Sequence, residues 1–332
     1  MFNTFLKTAA LALVLAAPMA EAREMRVSSH EPPQGFYSSK VLQAWIDRVN
    51  PQLSKGNAFK LYPGAMLGAA PAQAELVKAG VADVALVVPT YTPGLFPMSS
   101  VVELPGLVQS ASGGAKILDT LADEGLLGKE YADYKVIALF TTPGYRVFMT
   151  GAPALHPSDL KGLKLRTPSK FGSTLFDLVG ASGVSVPAPQ VYENLERGVV
   201  KGAVWVMDAY RTFRLNEVAP YVTDTRFTAS PMAILMNKAT YASLPEADRA
   251  VIDAMSGRAA AEWIAGVVDG TDAEIEAAFR ADGKVTFTDL DAATQAEWDA
   301  ALAGAPAQWL AEQTDKTAAE AVLTRAQAIA GE

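Results

Sequence analysis

The chain contains two copies of one short pattern: a helix that ends at a glycine, a tight turn, and an apolar strand. The first copy spans residues 76–87 and the second spans residues 195–206, and aligning Gly80 with Gly198 brings their apolar positions into register. A strand that is apolar on both faces is typical of a parallel sheet covered by helices. The pattern therefore predicts two α/β lobes of similar design, with a cleft between the ends of the two strands.

Two lobes need chain segments that cross between them, and the sequence offers two such segments. Residues 136–150 are predicted to form two strands around a Pro-Gly pair, and residues 227–237 are predicted to be an extended return. Residues 245–279 are largely helix-forming, with Ser243 as the expected N-cap and a bend expected at a glycine. We expect this helix to lie along both lobes as a spine.

The length of 332 residues is enough for about two domains with complete cores. We therefore assign residues 23–144 and 231–270 to lobe I, and residues 145–230 and 271–332 to lobe II. The predicted fold class is α/β, with two lobes joined by crossing strands and a long spanning helix.

The N-terminus has the features of a secretory signal peptide. Lys7 precedes an apolar run at residues 8–17, Pro18 ends the run, and Ala20-Glu21-Ala22 is a small-x-small cleavage site. We expect cleavage after Ala22 and export to the periplasm. An uncleaved membrane anchor is the less favoured alternative, because the apolar run is too short to span a bilayer.

Composition excludes several function classes. The net charge of −8 argues against nucleic-acid binding, which needs a basic face. The absence of cysteine excludes thiolate catalysis and Cys-ligated metals, and no HExxH, P-loop, GxGxxG or GxSxG motif marks a metal site or an enzyme. We therefore expect no catalytic residues, no cofactor and no metal site, although metal assistance in binding stays open.

Arg166 is the first candidate for a binding residue. It lies at the end of a short strand that follows the turn at Gly162 and stops at Pro168. Ligands of open α/β sheets bind beyond the carboxyl ends of strands, and an arginine fork fits a carboxylate. The hypothesis is that Arg166 holds the carboxylate of a small organic acid. The alternative is a solvated surface arginine, which this stretch alone favours.

Other candidates lie where the cleft is expected. Tyr91, Phe171 and Trp205 can form an aromatic wall, although core packing is at least as common for any single aromatic residue. Asp208 can hold a ligand hydroxyl or amine, or it can pair with a neighbouring arginine. His30 can line a pocket, but its Pro-rich loop favours the interpretation that it makes hydrogen bonds within the loop.

Four pieces of the chain resemble the solute receptors of TRAP (tripartite ATP-independent periplasmic) transporters, of the dicarboxylate-receptor type. In the family's order, the pieces are Tyr62 to Gly68, Gly144-Tyr145-Arg146, Asp159 to Pro168, and Val191 to Gly202. The resemblance implies a type II-like periplasmic-binding-protein fold. It also implies that Arg166 clamps a ligand carboxylate, that Arg146 assists, and that the closed receptor, a monomer, docks on a membrane permease.

The sequence departs from the family pattern at the second turn. Lys201 stands where an aspartate is usual, and Ala203-Val204-Trp205 replaces a Gln-Glu-Asn run. A tryptophan wall favours a compact monocarboxylate, such as a keto, hydroxy or aromatic acid, over a polyhydroxylated ligand. Two alternatives remain: a ligand receptor for a sensor kinase, and a secreted hydrolase that uses Asp208 with His30.

Overall fold

The computed structural model describes residues 23–331. The predicted signal peptide, residues 1–22, lies outside the described residues. Within the described part of the chain, no helix combines the length and apolarity needed to cross a membrane.

The described residues form eleven strands arranged in two sheets. The first sheet has the order β2-β1-β3-β10-β4, and the second has the order β11-β9-β5-β8-β6-β7. The strands are β1 Glu24–Ser28, β2 Ala58–Tyr62, β3 Val84–Val87, β4 Tyr134–Thr141, β5 Arg146–Met149, β6 Lys164–Thr167, β7 Ser182–Ser185, β8 Gly202–Trp205, β9 Tyr221–Asp224, β10 Pro231–Asn237 and β11 Thr286–Asp289.

The described α-helices cover the faces of these sheets, and one of them is much longer than the others. They are α1 Gln43–Val49, α2 Gln73–Lys78, α3 Ala111–Asp123, α4 Lys170–Leu178, α5 Val191–Glu196, α6 Met207–Thr212, α7 Lys238–Ser243, α8 Glu246–Ala254, α9 Gly257–Asp282, α10 Ala292–Leu302, α11 Ala305–Glu312 and α12 Lys316–Ala330. A π-helix, Tyr37–Leu42, directly precedes α1.

The two sheets share one topology. In each sheet three neighbouring strands are parallel, β2-β1-β3 and β7-β6-β8, and the next strand, β10 or β5, is antiparallel and is the first strand after the chain crosses from the other sheet. The repeated turns also match in their hydrogen bonds, because Val81 N donates to Leu76 O and Val199 N donates to Asn194 O, both at 2.9 Å. The predicted two-lobed α/β fold is confirmed.

The chain passes between the sheets twice, and the two crossings lie side by side. Residues 142–145 join β4 to β5, and residues 225–230 join β9 to β10. Backbone bonds tie the crossings together, including Thr142 N to Ser230 O at 3.0 Å and Phe227 N to Tyr145 O at 2.9 Å. The exact division of the helical regions between the lobes stays a prediction.

Helix α9 is the expected spine. It packs on α3 and β4 beside the first sheet and on α6 beside the second. The expected N-cap at Ser243 is wrong, because Ser243 ends α7 and its hydroxyl donates to Thr240 O, while α8 starts after Pro245. Of the glycines expected to interrupt this region, Gly257 begins a new helix after a break, whereas the helix continues through Gly266 and Gly270.

Helix α3 is an element that sequence reasoning did not identify, because a Ser-Gly-Gly run weakens its helical signal. The structure explains the second glycine: a Cβ on Gly114 would lie 1.9 Å from Thr141 Oγ1 on β4. The helix is anchored to the spine by Asp269, which accepts from Ala111 N at 2.6 Å. Close packing against the sheet therefore takes precedence over helix propensity here.

Candidate functional site

Arg166 is fully buried on β6, one strand in from the edge of the second sheet. Strand β6, which carries it, is paired with β7 on one side and β8 on the other. Arg166 Nε donates to Val186 O at 2.8 Å, and Nη1 donates to Val204 O at 3.3 Å. The guanidinium carbon lies 4.0 Å from the ring centroid of Trp205. The alternative of a solvated surface arginine is therefore wrong.

The guanidinium of Arg166 is left with unused hydrogen-bonding capacity. Its Nη2 is buried and has no hydrogen-bonding partner among residues 23–331, and no carboxylate in that range forms an ion pair with it. Burial lowers the pKa of Arg166, and the phenols of Tyr91 and Tyr145 oppose that shift. A buried charge without a counterion is costly, so this position favours an anion.

A small enclosed cavity lies between the lobes beside Arg166. Its volume is about 30 Å³ in this conformation, which is room for a water molecule or two. It does not reach the guanidinium itself, but three of its lining residues, Tyr91, Tyr145 and Trp205, are those that interact with Arg166. The remaining lining residues are His30, Glu31, Tyr37, Val88, Thr142, Pro168, Ala188, Val206, Asp208, Ala209, Phe213, Ser230 and Met232.

Tyr91 connects the two lobes. It follows β3 of the first sheet, and its hydroxyl accepts a hydrogen bond from the backbone N–H of Ala188, which follows β7 of the second sheet, at 3.0 Å. This bond and the low exposure of the lining side chains show that the lobes are closed over the cavity.

His30 lines the cavity and does not make the loop hydrogen bond that the sequence favoured. Its Nδ1 is buried and has no partner within the described residues. The ring meets Tyr91 edge-on, with centroids 6.2 Å apart. Burial lowers the pKa of His30 to about 4, so the imidazole is neutral at physiological pH.

Asp208 lies in the first turn of α6, just after β8, and is 3% exposed. Neither carboxylate oxygen has a hydrogen-bonding partner within residues 23–331. The expected alternative pairing with Arg211 or Arg214 does not occur there, and Arg214 pairs with Glu217 instead. Burial, followed by the charges of Glu31 and Asp272, raises the pKa of Asp208 well above its ordinary value.

Glu31 and Tyr37 are two lining residues that sequence reasoning missed. One Glu31 carboxylate oxygen accepts from Tyr37 N at 2.7 Å and from Ser38 N at 3.3 Å, and burial raises the pKa of Glu31 to about 7. A Cβ on Gly35 would lie 2.7 Å from the same oxygen, so this glycine lets the carboxylate fold back over the chain. The available signal was the position of Glu31 just beyond a parallel strand and before a helix.

Arg146 is placed differently from the role that the resemblance implied. Its Nη1 donates to Asp272 Oδ2 at 2.9 Å, its Nη2 bonds to Glu276, and its Nε lies 3.5 Å from Asp224 Oδ1. Arg146 does not line the cavity. Because three carboxylates already surround it, Arg146 ties the second sheet to the spine helix and offers little to a ligand.

Phe171 also lies outside the cavity beside Arg166. It lines a separate cavity of about 350 Å³, together with Glu103, Ser169 and Glu312. That cavity is larger, but its lysine, Lys170, is paired with Glu312 at 4.0 Å. The smaller cavity, beside an unpaired buried arginine, is the better candidate for an anion site.

Comparison with protein families identifies the family to which the chain belongs. The family described as bacterial extracellular solute-binding protein, family 7, matches residues 28–313. The chain belongs to this family. Its solved members include the solute receptors of TRAP transporters, so the resemblance in the sequence is confirmed.

Three relatives illustrate the match. A solute-binding protein of Albidiferax ferrireducens is 25% identical over 259 residues, which cover 73% of each chain. A TRAP solute-binding protein from a marine metagenome, specific for aromatic acid ligands and bound to metahydroxyphenylacetate, is 27% identical, with a TM-score of 0.88 over 93% of this chain and 98% of its own. A TRAP solute-binding protein from Rhodoferax ferrireducens, bound to copurified benzoate, is 25% identical with the same TM-score and coverage.

Proposed function

We propose that this receptor binds a small aromatic monocarboxylate and holds the carboxylate on Arg166. The supporting observation is the fully buried guanidinium whose Nη2 has no partner among the described residues. Nη1 uses one of its two hydrogens on Val204 O, so Nη1 and Nη2 together still offer an end-on fork. A carboxylate supplies two acceptors and the missing negative charge.

The aromatic part of the proposal rests on the walls of the cavity. Tyr91, Tyr145 and Trp205 line it, and Trp205 stacks on Phe213 with centroids 5.3 Å apart. Flat aromatic walls favour a flat apolar ligand body. The solved relatives that bind metahydroxyphenylacetate and benzoate support the same ligand class.

Binding requires the lobes to separate, because the closed cavity of about 30 Å³ has no room for an aromatic ring. The paired crossings at residues 142–145 and 225–230 are the natural hinge. Opening breaks the bond between the Tyr91 hydroxyl and Ala188 N. A ligand that contacts both lobes then favours closure through contacts that the open form lacks.

The receptor, in this proposal, works in the periplasm as a monomer after cleavage behind Ala22, and it delivers its ligand to a TRAP permease without catalysis. No nucleic acid takes part, in keeping with the net charge of −8. The hydrolase alternative needs His30 and Asp208 to cooperate. No hydrogen bond links them within residues 23–331, since His30 Nδ1 and both Asp208 oxygens have no partner there.

A thermal-shift series tests the ligand class. A ligand that binds only the native state at 100 times its dissociation constant stabilises the fold by about 2.7 kcal/mol. Benzoate and phenylacetate should raise the melting temperature in a saturable way, while acetate and galacturonate should raise it much less. A shift with galacturonate and none with either aromatic acid contradicts the proposal.

A further inference from the structure

Two buried carboxyl groups from opposite lobes line the cavity. Glu31 comes from the loop after β1, and Asp208 comes from the start of α6. Asp208 interacts electrostatically with Glu31 and Asp272, whereas Arg166 interacts with Tyr91 and Tyr145. Asp208 and Glu31 line the cavity and Arg166 lies outside its lining, so the acids and the arginine adjoin different parts of the site.

Asp208 differs from Glu31 and Asp272, the acids whose charges act on it, because neither of its oxygens accepts a hydrogen bond within residues 23–331. Glu31 accepts two backbone N–H bonds, and Asp272 accepts from Arg146 and from Met207 N. Asp208 has no hydrogen-bonding partner among residues 23–331, and the nearby Tyr37 hydroxyl has none either. Buried polar groups are nearly always hydrogen-bonded, so an unused buried carboxyl that lines a cavity needs an explanation.

We propose that Asp208, with Glu31 beside it, accepts a hydrogen bond from a donor group on the ligand. This inference rests on the proposed function and narrows it: the preferred ligand is an aromatic monocarboxylate whose ring carries a hydroxyl or an amino group on the side away from the carboxylate. Arg166 binds the carboxylate of the ligand, and Asp208 discriminates between ligands by the group at the other end.

A ligand donor between Glu31 and Asp208 contacts both lobes at once. Glu31 and Asp208 come from different lobes, and the charge of Glu31 contributes to the raised pKa of Asp208. A ligand hydroxyl or amino group between them can hydrogen-bond to both carboxyl groups. A ring without a donor leaves these acceptors unpaired on closure, and a site built to bond a hydroxyl rejects such analogues strongly.

The experiment compares ligands that differ only in the donor. Calorimetry measures the dissociation constants of the 2-, 3- and 4-hydroxybenzoates and of the fluorobenzoates matched to each, since fluorine is small and cannot donate. For the unmodified mature protein, at least one hydroxybenzoate should bind about tenfold to a hundredfold more tightly than its fluoro partner, the range for leaving a buried polar group without its hydrogen bond. Equal affinities in all three pairs overturn the inference.

Substitutions of Asp208 test whether this residue causes the preference for a ligand hydroxyl group. Asp208→Leu keeps a similar branched shape and removes both acceptors, so it should reduce the hydroxyl preference to less than threefold, chiefly by weakening the hydroxybenzoates. Asp208→Asn is the second variant, in case the leucine disturbs folding, and it should reduce the preference in the same direction. Asp119→Asn, a change to an acid on α3 far from the cavity lining, is the matched control and should keep the preference.

The outcomes separate this inference from the proposed function. If Asp208→Leu weakens hydroxybenzoate and fluorobenzoate equally, Asp208 has a structural role and the inference fails while the proposed function stands. If none of the benzoates binds the unmodified protein, the proposed function fails and takes the inference with it.

Discussion

Two arginines of the second sheet have opposite environments, although both are buried. Arg146 on β5 faces Trp205 across one side of β8, and Arg166 on β6 faces Ala203 across the other. Arg146 has Asp224, Asp272 and Glu276 around it. Arg166 has two backbone carbonyls and an indole ring.

This difference in environment separates a structural arginine, Arg146, from an arginine suited to a ligand, Arg166. Burial tends to lower the pKa of Arg146, but Asp272, Asp224 and Glu276 raise it above its ordinary value. Burial lowers the pKa of Arg166, and no acid opposes it. An arginine that is neutralised within the chain holds elements together, and one that is not neutralised is suited to an external anion.

The largest effect on stability should come from Arg146→Met. The change leaves Asp272 and Glu276 without their buried partner, and breaking a buried ion pair costs about 3–5 kcal/mol. Urea denaturation should show this loss in the free energy of unfolding. A loss below about 1 kcal/mol would mean that the two arginines differ less than the structure implies.

The next effect concerns affinity. Arg166→Met should weaken binding of an aromatic acid at least a hundredfold, because the carboxylate loses a buried charged partner worth on the order of 3–5 kcal/mol. The same change should leave the free energy of unfolding unchanged or raise it, since it removes an uncompensated buried charge. Calorimetry and urea denaturation of one preparation measure both. If Arg166→Met binds the aromatic acid normally but unfolds more easily, Arg166 has the structural role and the assignment of roles to the two arginines is wrong.

A smaller effect should come from Trp205→Leu. Trp205 stacks on the guanidinium of Arg166 and lines the cavity, and cation–π contacts are worth about 0.5–2 kcal/mol. Affinity for benzoate should fall about tenfold, with a smaller loss for acetate, which has no ring to pack. Equal losses for both acids would show that Trp205 acts only by positioning Arg166.

Local patterns in the sequence were enough to predict the position of Arg166 and the two lobes. The turn at Gly162 and the stop at Pro168 placed Arg166 at a strand end, and the repeated turns at Gly80 and Gly198 predicted the two lobes. These features depend on neighbours within a few residues, which a sequence shows directly.

The environment of Arg146 depends on contacts with residues that are remote in sequence. Arg146 is neutralised by residues 126 and 130 positions away on the spine helix, and no local pattern reveals that pairing. Glu31 was hidden in a loop with paired prolines, and Phe171 faces a different cavity because α4 is fixed by its cap at Ser169 and by the close contact of Gly172 with Thr167. Side-chain direction in loops and short helices is set by packing.

The most direct test of the role of Arg166 compares benzoate with benzamide, which has nearly the same shape and no charge. Calorimetry measures both ligands on the unmodified protein and on Arg166→Met, which completes a double-mutant cycle between the guanidinium and the carboxylate. We predict that the unmodified protein prefers benzoate at least a hundredfold and that the variant prefers neither. An undiminished preference for benzoate in Arg166→Met would show that another group holds the carboxylate.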